Sequence, residues 1–287
     1  MLKSSTIQLL RFHFSFFLMP VYWFALSQTP HINTPDAILI FCILHLLVYP
    51  ASNGYNSYMD RDTSSIGGIK DPKQPTKQLF YVSILLDVAA ITLSCFISYY
   101  FVFGILAYIL ASRAYSYRGI RLKKYPVVGY LTVVIFQGAV TFFLVMHGCS
   151  MEKILEEIPF SGMLASSLLI GGFYPLTQIY QHRQDREDGV ISISSVLGYT
   201  GTFIFTGIVY FFAMAVLGYY LTASLEMEHF FILQIFFAPV LVYFIWWFKK
   251  TAADNTAASF SNTMKMNMLA SFCSNAAFIT LLILEKF

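Results

Sequence analysis

Two short runs carry the residue types that could do chemistry. The first, "NSYMDRDTSS", spaces Asn56, Asp60 and Ser64 four residues apart. On a helix these three share one face, and Asp62 points away from it unless the helix has already ended. The second, "QIYQHRQDRED", spaces Gln178, Gln181, Asp185 and Asp188 by three, four and three, again a single stripe, with Glu187 to the side. Oxygen donors stacked on one face suit a hard cation. Mg²⁺ takes one or two carboxylates, keeps waters and accepts phosphate oxygens as its other ligands. An amphipathic helix end dressed with polar residues accounts for either run alone. For the pair, ionisable groups near membrane depth favour a site.

Basic residues flank both runs. "GGIKDPKQPTK" follows the first, and "RAYSYRGIRLKKYP" lies between the two. A carboxylate-bound Mg²⁺ surrounded by Arg and Lys is how proteins hold a pyrophosphate and stabilise charge developing on it. Membrane orientation and anionic headgroups explain basic loops without a substrate, and they cover Lys249 and Lys250. They do not explain the acidic residues beside the other loops.

The elements that must position these groups are membrane helices. The chain is 57% hydrophobic, 18% aromatic and 11% charged, against about 25% charged residues in an average soluble domain. A soluble fold and a nucleic-acid binder are thereby excluded. Spans of roughly 20 apolar residues are expected near 9–27, 36–58, 79–97, 99–114, 126–147, 160–182, 194–222, 229–248 and 265–284, the third and fourth nearly fused through "SCFISYYFVF". The first contains Arg11 and His13 and lacks a small-residue cleavage site, so it reads as a retained helix. No linker interrupts the run of helices. The expected fold is all-α: one polytopic membrane domain over residues 1–287, with about nine transmembrane helices.

Lys and Arg fall almost entirely on one side of these spans, leaving Lys153, Lys286 and the acids Glu152, Glu156, Glu157, Glu226 and Glu228 on the other. The positive-inside bias puts the N-terminus and the polar segments 56–78, 113–125 and 183–194 in the cytoplasm and the C-terminus outside. That topology suits a cytoplasmic or inner membrane. Cys42, Cys95, Cys149 and Cys273 are scattered without metal-ligand spacing and read as small hydrophobes. His13, His45 and Asp87 lie in apolar helices and are expected to hydrogen-bond within the bundle, as are Asn267 and Asn275.

"NSYMDRDTS" resembles the first aspartate-rich motif of the UbiA-type intramembrane prenyltransferases, and "KDPKQP" resembles the basic, proline-containing loop that follows it. "AYSYRGIRLKKYPVVG" is similar to the family's Tyr-Ser…Arg-Leu-Lys stretch, and "QIYQHRQDREDGVISISSVLG" to its second motif. The resemblance implies a helical cavity opening toward lipid. It also implies a polyprenyl diphosphate donor, a lipophilic acceptor that is aromatic or quinone-precursor-like, and Mg²⁺ held by both motifs. Residue by residue, Asn56, Asp60 and Asp185 match catalytic motif positions, with Asp60 and Asp185 as metal ligands. Arg11, Lys70, Lys73, Arg118, Arg121 and Lys123 are the diphosphate candidates. Tyr58, Tyr115 and Tyr180 lie where aromatic faces would steady an allylic cation, supported by Ser64, Gln178 and Gln181. Ser64 and Gln181 stand where the motifs would carry Asp. The formal charge available to Mg²⁺ is therefore reduced, and Asp62 and Asp188 are the compensating carboxylates.

Two competing readings stay open. A terpene cyclase would let the cation attack its own double bonds, and a transporter would use the clusters to grip an anionic solute. The clusters sit at one membrane face, and no Gly/Pro-broken helices recur in matching halves, which weighs against transport.

Overall fold

The computed structural model describes residues 1–223 and 227–286; Glu226, expected among the outer acids, lies outside the described residues. Among the described residues thirteen α-helices make up the fold, and extended pairing is limited to two isolated bridges, Ile32 with Ser150 and Ile66 with Ile69. Among the described residues seven helical spans are long and apolar enough to cross a membrane, and a bent N-terminal pair makes eight. Side chains such as Ile235 (72% exposed) and Phe211 (67%) cover the outside. In water such a surface would aggregate; in a bilayer it is the lipid face. The protein is an integral membrane protein.

The expected first span is broken. α1 (Ser4–Leu10) ends at Arg11, whose φ of 48° is left-handed, and a 3₁₀ stretch (Phe12–Phe17) leads into α2 (Met19–Ser27) at a 40° bend. The break turns Arg11 inward, where it is 6% exposed. The second span runs from α3 (Thr34–Cys42) through a π-helical stretch (Ile43–Val48) to α4 (Tyr49–Asp60). Asn33 caps its start by accepting from the Asp36 amide at 3.2 Å. The π-helical stretch leaves the His45 carbonyl free to accept from Ser15 Oγ at 2.8 Å.

α5 (Lys77–Ser94) and α6 (Tyr99–Ser116) are separated by a turn at Cys95–Ser98, where Ser98 Oγ accepts from the Phe101 amide. α6, the fourth of the nine expected spans, is the one that is not among these eight. Tyr99, Tyr100, Tyr108, Tyr115 and Arg113 make it less apolar than the other eight. The next span repeats the device of the second: α7 (Pro126–Val134), a π-helical stretch (Ile135–Val140) and α8 (Thr141–Cys149). Here a glycine is required, since a Cβ on Gly138 would fall 2.4 Å from the Ser167 Cα. That contact seats the stretch against α9 (Phe160–Gln178), where Ser167 Oγ accepts from the Ala139 amide at 3.0 Å.

α9 passes through a 3₁₀ turn (Ile179–Gln181) into α10 (His182–Glu187). α11 (Ile193–Ala223), α12 (Met227–Ala253) and α13 (Phe260–Lys286) complete the bundle. α10 is anchored by His182, which is buried, hydrogen-bonds Ser194 Oγ at 2.7 Å and stacks on Tyr199 at 5.0 Å. The core on the far side is aromatic: Phe24 stacks on Phe278 at 4.8 Å and meets Phe142 at 5.2 Å.

Among the intramembrane polar residues, Asp87 pairs with Arg113, His13 Nε2 bonds the Gly68 carbonyl at 3.2 Å, and Asn275 donates to the Phe16 carbonyl at 3.2 Å. Neither ring nitrogen of His45 and neither amide atom of Asn267 has a hydrogen-bond partner among the described residues, contrary to expectation. His45 is instead enclosed by the rings of Phe41, Tyr49 and Tyr22 at 4.6–5.8 Å. All four cysteines are free; Cys149 and Cys273 are buried, whereas Cys95 is exposed.

The Asp87–Arg113 pair is nearly closed to solvent, with side-chain exposures of 8% and 14%. Breaking one member leaves an uncompensated buried charge, which costs about 3–5 kcal/mol. Asp87→Ala is therefore expected to unfold at markedly lower denaturant than the parent in detergent, and Asp87→Leu combined with Arg113→Met should recover most of the loss.

Candidate active site

A cavity of about 1270 Å³, counting its open mouth, lies between α4, α6, α7 and α9 and takes in both motif runs. α4 ends at Asp60 because Arg61 turns left-handed (φ 56°), so Asp62 sits in the following loop and faces the cavity. This corrects the single stripe expected for Asn56, Asp60 and Ser64: Ser64 lies beyond the helix. The stripe of Gln178, Gln181, Asp185 and Asp188 survives the 3₁₀ turn, and all four line the cavity, joined by Gln184.

Asp60 is the centre of the charges. Its side chain is 4% exposed, Oδ2 is paired with Lys123, and Oδ1 lies 3.7 Å from Arg121. Arg121, itself left-handed at φ 54° and buried, pairs with the Asp188 carboxylate and donates to the Asp188 carbonyl at 3.0 Å. Arg121 thus bridges the two motifs. Arg118 donates to the carbonyls of Met59 (2.7 Å) and Asp60 (3.3 Å), the last of α4, and lies 3.5 Å from Asp188. A cation there satisfies free carbonyls and opposes the helix dipole.

Arg11 differs from these. It lines the cavity, and its guanidinium donates to the carbonyls of Gly67 (3.3 Å) and Asn53 (3.4 Å) without a direct carboxylate pair among the described residues. Burial, reinforced by repulsion from Asp60, pushes the Asp62 carboxyl up to about 6. Cation and raised carboxyl together mark a site built for a ligand that brings charge of its own.

The two residues that replace expected carboxylates serve as cross-links. Ser64 Oγ donates to Gln184 Oε1, Gln184 Nε2 donates to Asp62 Oδ1 at 2.6 Å, and Gln181 Nε2 donates to the Ser65 carbonyl at 3.3 Å. The loop after the first motif is tied to the second motif by neutral hydrogen bonds where two more acids would repel. Asn56 accepts from Ser116 Oγ at 2.8 Å, which fixes α4 to α6.

Several expected residues are elsewhere. Lys70 is exposed, and Lys73 Nζ donates to Ser4 Oγ at 2.6 Å while its amide donates to Gln8 Oε1 at 2.8 Å. Neither lines the cavity; they follow Ile66 and Ile69, which pack on Leu9 and Leu10. Tyr58 packs on Phe80 at 5.2 Å instead of facing the cavity. Tyr180 lies against Phe260 at 5.3 Å with its hydroxyl buried near Arg11. Tyr115 does line the cavity, hydroxyl to hydroxyl with Tyr174. Sequence reading missed Asn53, Gln184 and Gln137. Asn53, three residues before Asn56, and Gln184, three after Gln181 and four before Asp188, both carried a spacing signal.

The oxygen set fits a hard divalent cation. Asp60 Oδ1 is buried with no hydrogen-bond partner, and the carboxylates of Asp62 and Asp185 line the same space. Among the described residues no three acids, histidines or cysteines converge to enclose an ion.

The sequence pattern of the UbiA prenyltransferase family matches residues 17–269. The chain belongs to the UbiA prenyltransferase family. Among solved structures it is similar to the apo UbiA homologue of Aeropyrum pernix K1 (18% identity, 94% of this chain and 98% of that one, TM-score 0.69). It is also similar to the Archaeoglobus fulgidus UbiA homologue bound to DMAPP and Mg²⁺ (16% identity, 97% and 99%, TM-score 0.69) and to GPP and Mg²⁺ (15% identity, 97% and 99%, TM-score 0.67). At these identities the likeness is one of fold. No curated protein sequence matches the chain.

Gln184→Ala removes both hydrogen bonds that tie Asp62 and Ser64 to α10. At about 1 kcal/mol each, their loss should raise amide exchange across residues 62–66 by about tenfold or more. Unchanged exchange there would show that the loop is held by other contacts.

Proposed function

We propose that this UbiA-family chain, as a single domain over residues 1–287, transfers a prenyl group from a polyprenyl diphosphate to a lipophilic acceptor, aromatic or quinone-precursor-like. The single observation that carries the reading is Arg11: a buried guanidinium bonded to carbonyls, lining a cavity that four aspartates also line. An anion that brings a cation satisfies both at once. The A. fulgidus homologue, bound to DMAPP or GPP with Mg²⁺, is the precedent for such a pair.

Asp60 and Asp185 would hold Mg²⁺, with Asp62 and Asp188 beside them. When bound, the ion offsets charge that develops on the departing diphosphate. Arg11 and Lys123, both on the cavity wall, grip the diphosphate oxygens. Lys123 and Arg121 leave the carboxylates for phosphate, an exchange of like partners that costs little because each cation keeps an anionic neighbour. Arg118 retains the end of α4. Tyr115 and Tyr174 present aromatic faces to the allylic cation, and Phe14 and Phe136 keep water from it.

The donor's tail has a separate chamber. A second cavity, about 1020 Å³ with its opening, is lined by apolar residues of α2, α9, α11, α12 and α13, among them Phe24, Phe173 and Phe278. Phe14 lines the polar cavity and Phe17 the apolar one, and their rings meet edge to face at 5.0 Å. With the positive-inside pattern, the polar mouth and the N-terminus face the cytoplasm and the C-terminus lies outside.

Diphosphate release from geranyl diphosphate, followed with and without Mg²⁺ and a lipid extract as acceptor source, tests the reading. The protein should release diphosphate only with both present, and Asp60→Ala or Asp185→Ala should each cut turnover by about 100-fold or more. Turnover that survives both substitutions would overturn the site assignment, and hydrocarbon formed from the donor alone would mark a cyclase. Arg11→Gln should raise the donor KM by about tenfold or more, the worth of a charge-assisted hydrogen bond; an unchanged KM would remove Arg11 from the diphosphate site.

A further inference from the structure

The four aspartates of the cavity are held in two ways. Asp60 and Asp188 are paired with cations, Lys123 and Arg121, whereas Asp62 accepts from the neutral amide of Gln184 at 2.6 Å. Asp185 has no ion pair among the described residues; Lys123, committed to Asp60, acts on it only from a distance. What holds the Asp185 carboxylate is a hydrogen bond from Ser192, a buried residue seven positions further along the chain.

Ser192 precedes the first residue of α11 and caps it, its Oγ accepting from the Ser195 amide at 3.2 Å. Ser195 Oγ lies 3.0 Å from the same atom. A carboxylate only accepts, so the proton between Ser192 and Asp185 belongs to Ser192, and Ser195 Oγ is the donor to Ser192. The hydroxyl is then fully used, and it cannot turn away from Asp185 without leaving a buried group unpaired. The turn that carries it is clamped to α10. Ser194 Oγ meets His182 Nε2 at 2.7 Å and Thr202 Oγ1 at 3.0 Å, and Thr202 donates to the carbonyl of Gly198 (φ 68°) at 2.6 Å. The Val190 amide donates to the Asp185 carbonyl at 2.8 Å.

We propose that Ser192 is a positioning residue for the divalent cation: its hydroxyl holds one oxygen of Asp185 and keeps the other for the metal. The proposal rests on the prenyl-transfer reading, in which Asp185 holds Mg²⁺. A cation bonded to Asp185 would cancel the charge that the metal needs, whereas a neutral hydroxyl fixes the carboxylate and leaves its charge in place. Groups that hydrogen-bond a ligating carboxylate set its orientation, and their loss costs about 10–100-fold in metal affinity. Without the hydroxyl, the pull of Lys123 is the main attraction left on Asp185. A carboxylate drawn onto that ammonium is withdrawn from the metal.

The test follows the metal directly: Mn²⁺ is titrated against the full-length protein in detergent, and the free ion is read by electron paramagnetic resonance. Ser192→Gly keeps a tolerated helix cap and loses the hydroxyl, and it should weaken Mn²⁺ binding about tenfold or more. Ser192→Thr keeps both cap and hydroxyl and should bind within about threefold of the parent. Ser192→Ala is the second variant should the glycine fail to fold. In turnover of geranyl diphosphate, the half-saturating Mg²⁺ concentration should rise by the same factor while kcat at saturating Mg²⁺ is kept. Loss of a helix cap alone would lower the thermal midpoint and leave the Mg²⁺ dependence where it was. Asp185→Ala is the reference. Mn²⁺ binding that Asp185→Ala leaves intact overturns the metal assignment and the proposal with it. Binding that Asp185→Ala weakens but Ser192→Gly and Ser192→Ala do not overturns the proposal alone and leaves the prenyl-transfer reading standing.

Discussion

Every part of this molecule that could do chemistry depends on how four aspartates are kept at the edge of an apolar bundle. Asp60, 4% exposed and paired with Lys123, is the most constrained, and Arg121 joins it to Asp188 across the two motifs. Burying carboxylates without partners would cost several kcal/mol apiece. The cations that neutralise them come from the segment after α6, and that segment must therefore fold over the ends of α4 and α10. The same ion pairs, Lys123 with Asp60 and Arg121 with Asp188, hold the two motifs together. Burial, with repulsion from Asp60 second, pushes the Asp62 carboxyl up to about 6.

The site is built where helices stop. Arg11, Arg61 and Arg121 are left-handed, a conformation that costs about 1–2 kcal/mol for a residue with a Cβ. Each of the three ends or bends a segment beside the cavity. Without the break at Arg11 its guanidinium would remain on the outer face of α1, and without the stop at Arg61 the carboxylate of Asp62 would point away. The π-helical stretches at Ile43–Val48 and Ile135–Val140 act on the same scale, bringing Tyr49 Oη within 3.5 Å of Thr141 Oγ1 and seating Gly138 on α9.

Much of this was legible beforehand because it follows from pattern. Apolar runs of membrane length mark the helices, and three-four spacing puts Gln178, Gln181, Asp185 and Asp188 on one wall. The break in the first span was not legible, since "LLRFHFSFF" has no Pro or Gly to announce it; a tertiary contact, Arg11 on the Gly67 and Asn53 carbonyls, holds it. Lys70 and Lys73 looked equivalent to Lys123 by proximity to a motif. Their loop is pulled onto α1 by Ile66 and Ile69, a packing preference that charge patterning does not register. Ser64 and Gln181 read as lost carboxylates, and only the fold shows each making a bond between the motifs. His45 was expected to find a hydrogen bond and found aromatic rings.

The central claim is that one cation and one diphosphate fill the space between Arg11 and the aspartates. Anomalous diffraction from crystals grown with Mn²⁺ and geranyl diphosphate tests it most directly. A manganese peak is expected within coordination distance of Asp60 or Asp185, with the diphosphate between that peak and the Arg11 guanidinium. A peak outside this cavity, or a diphosphate seated on Lys70 and Lys73, would contradict it.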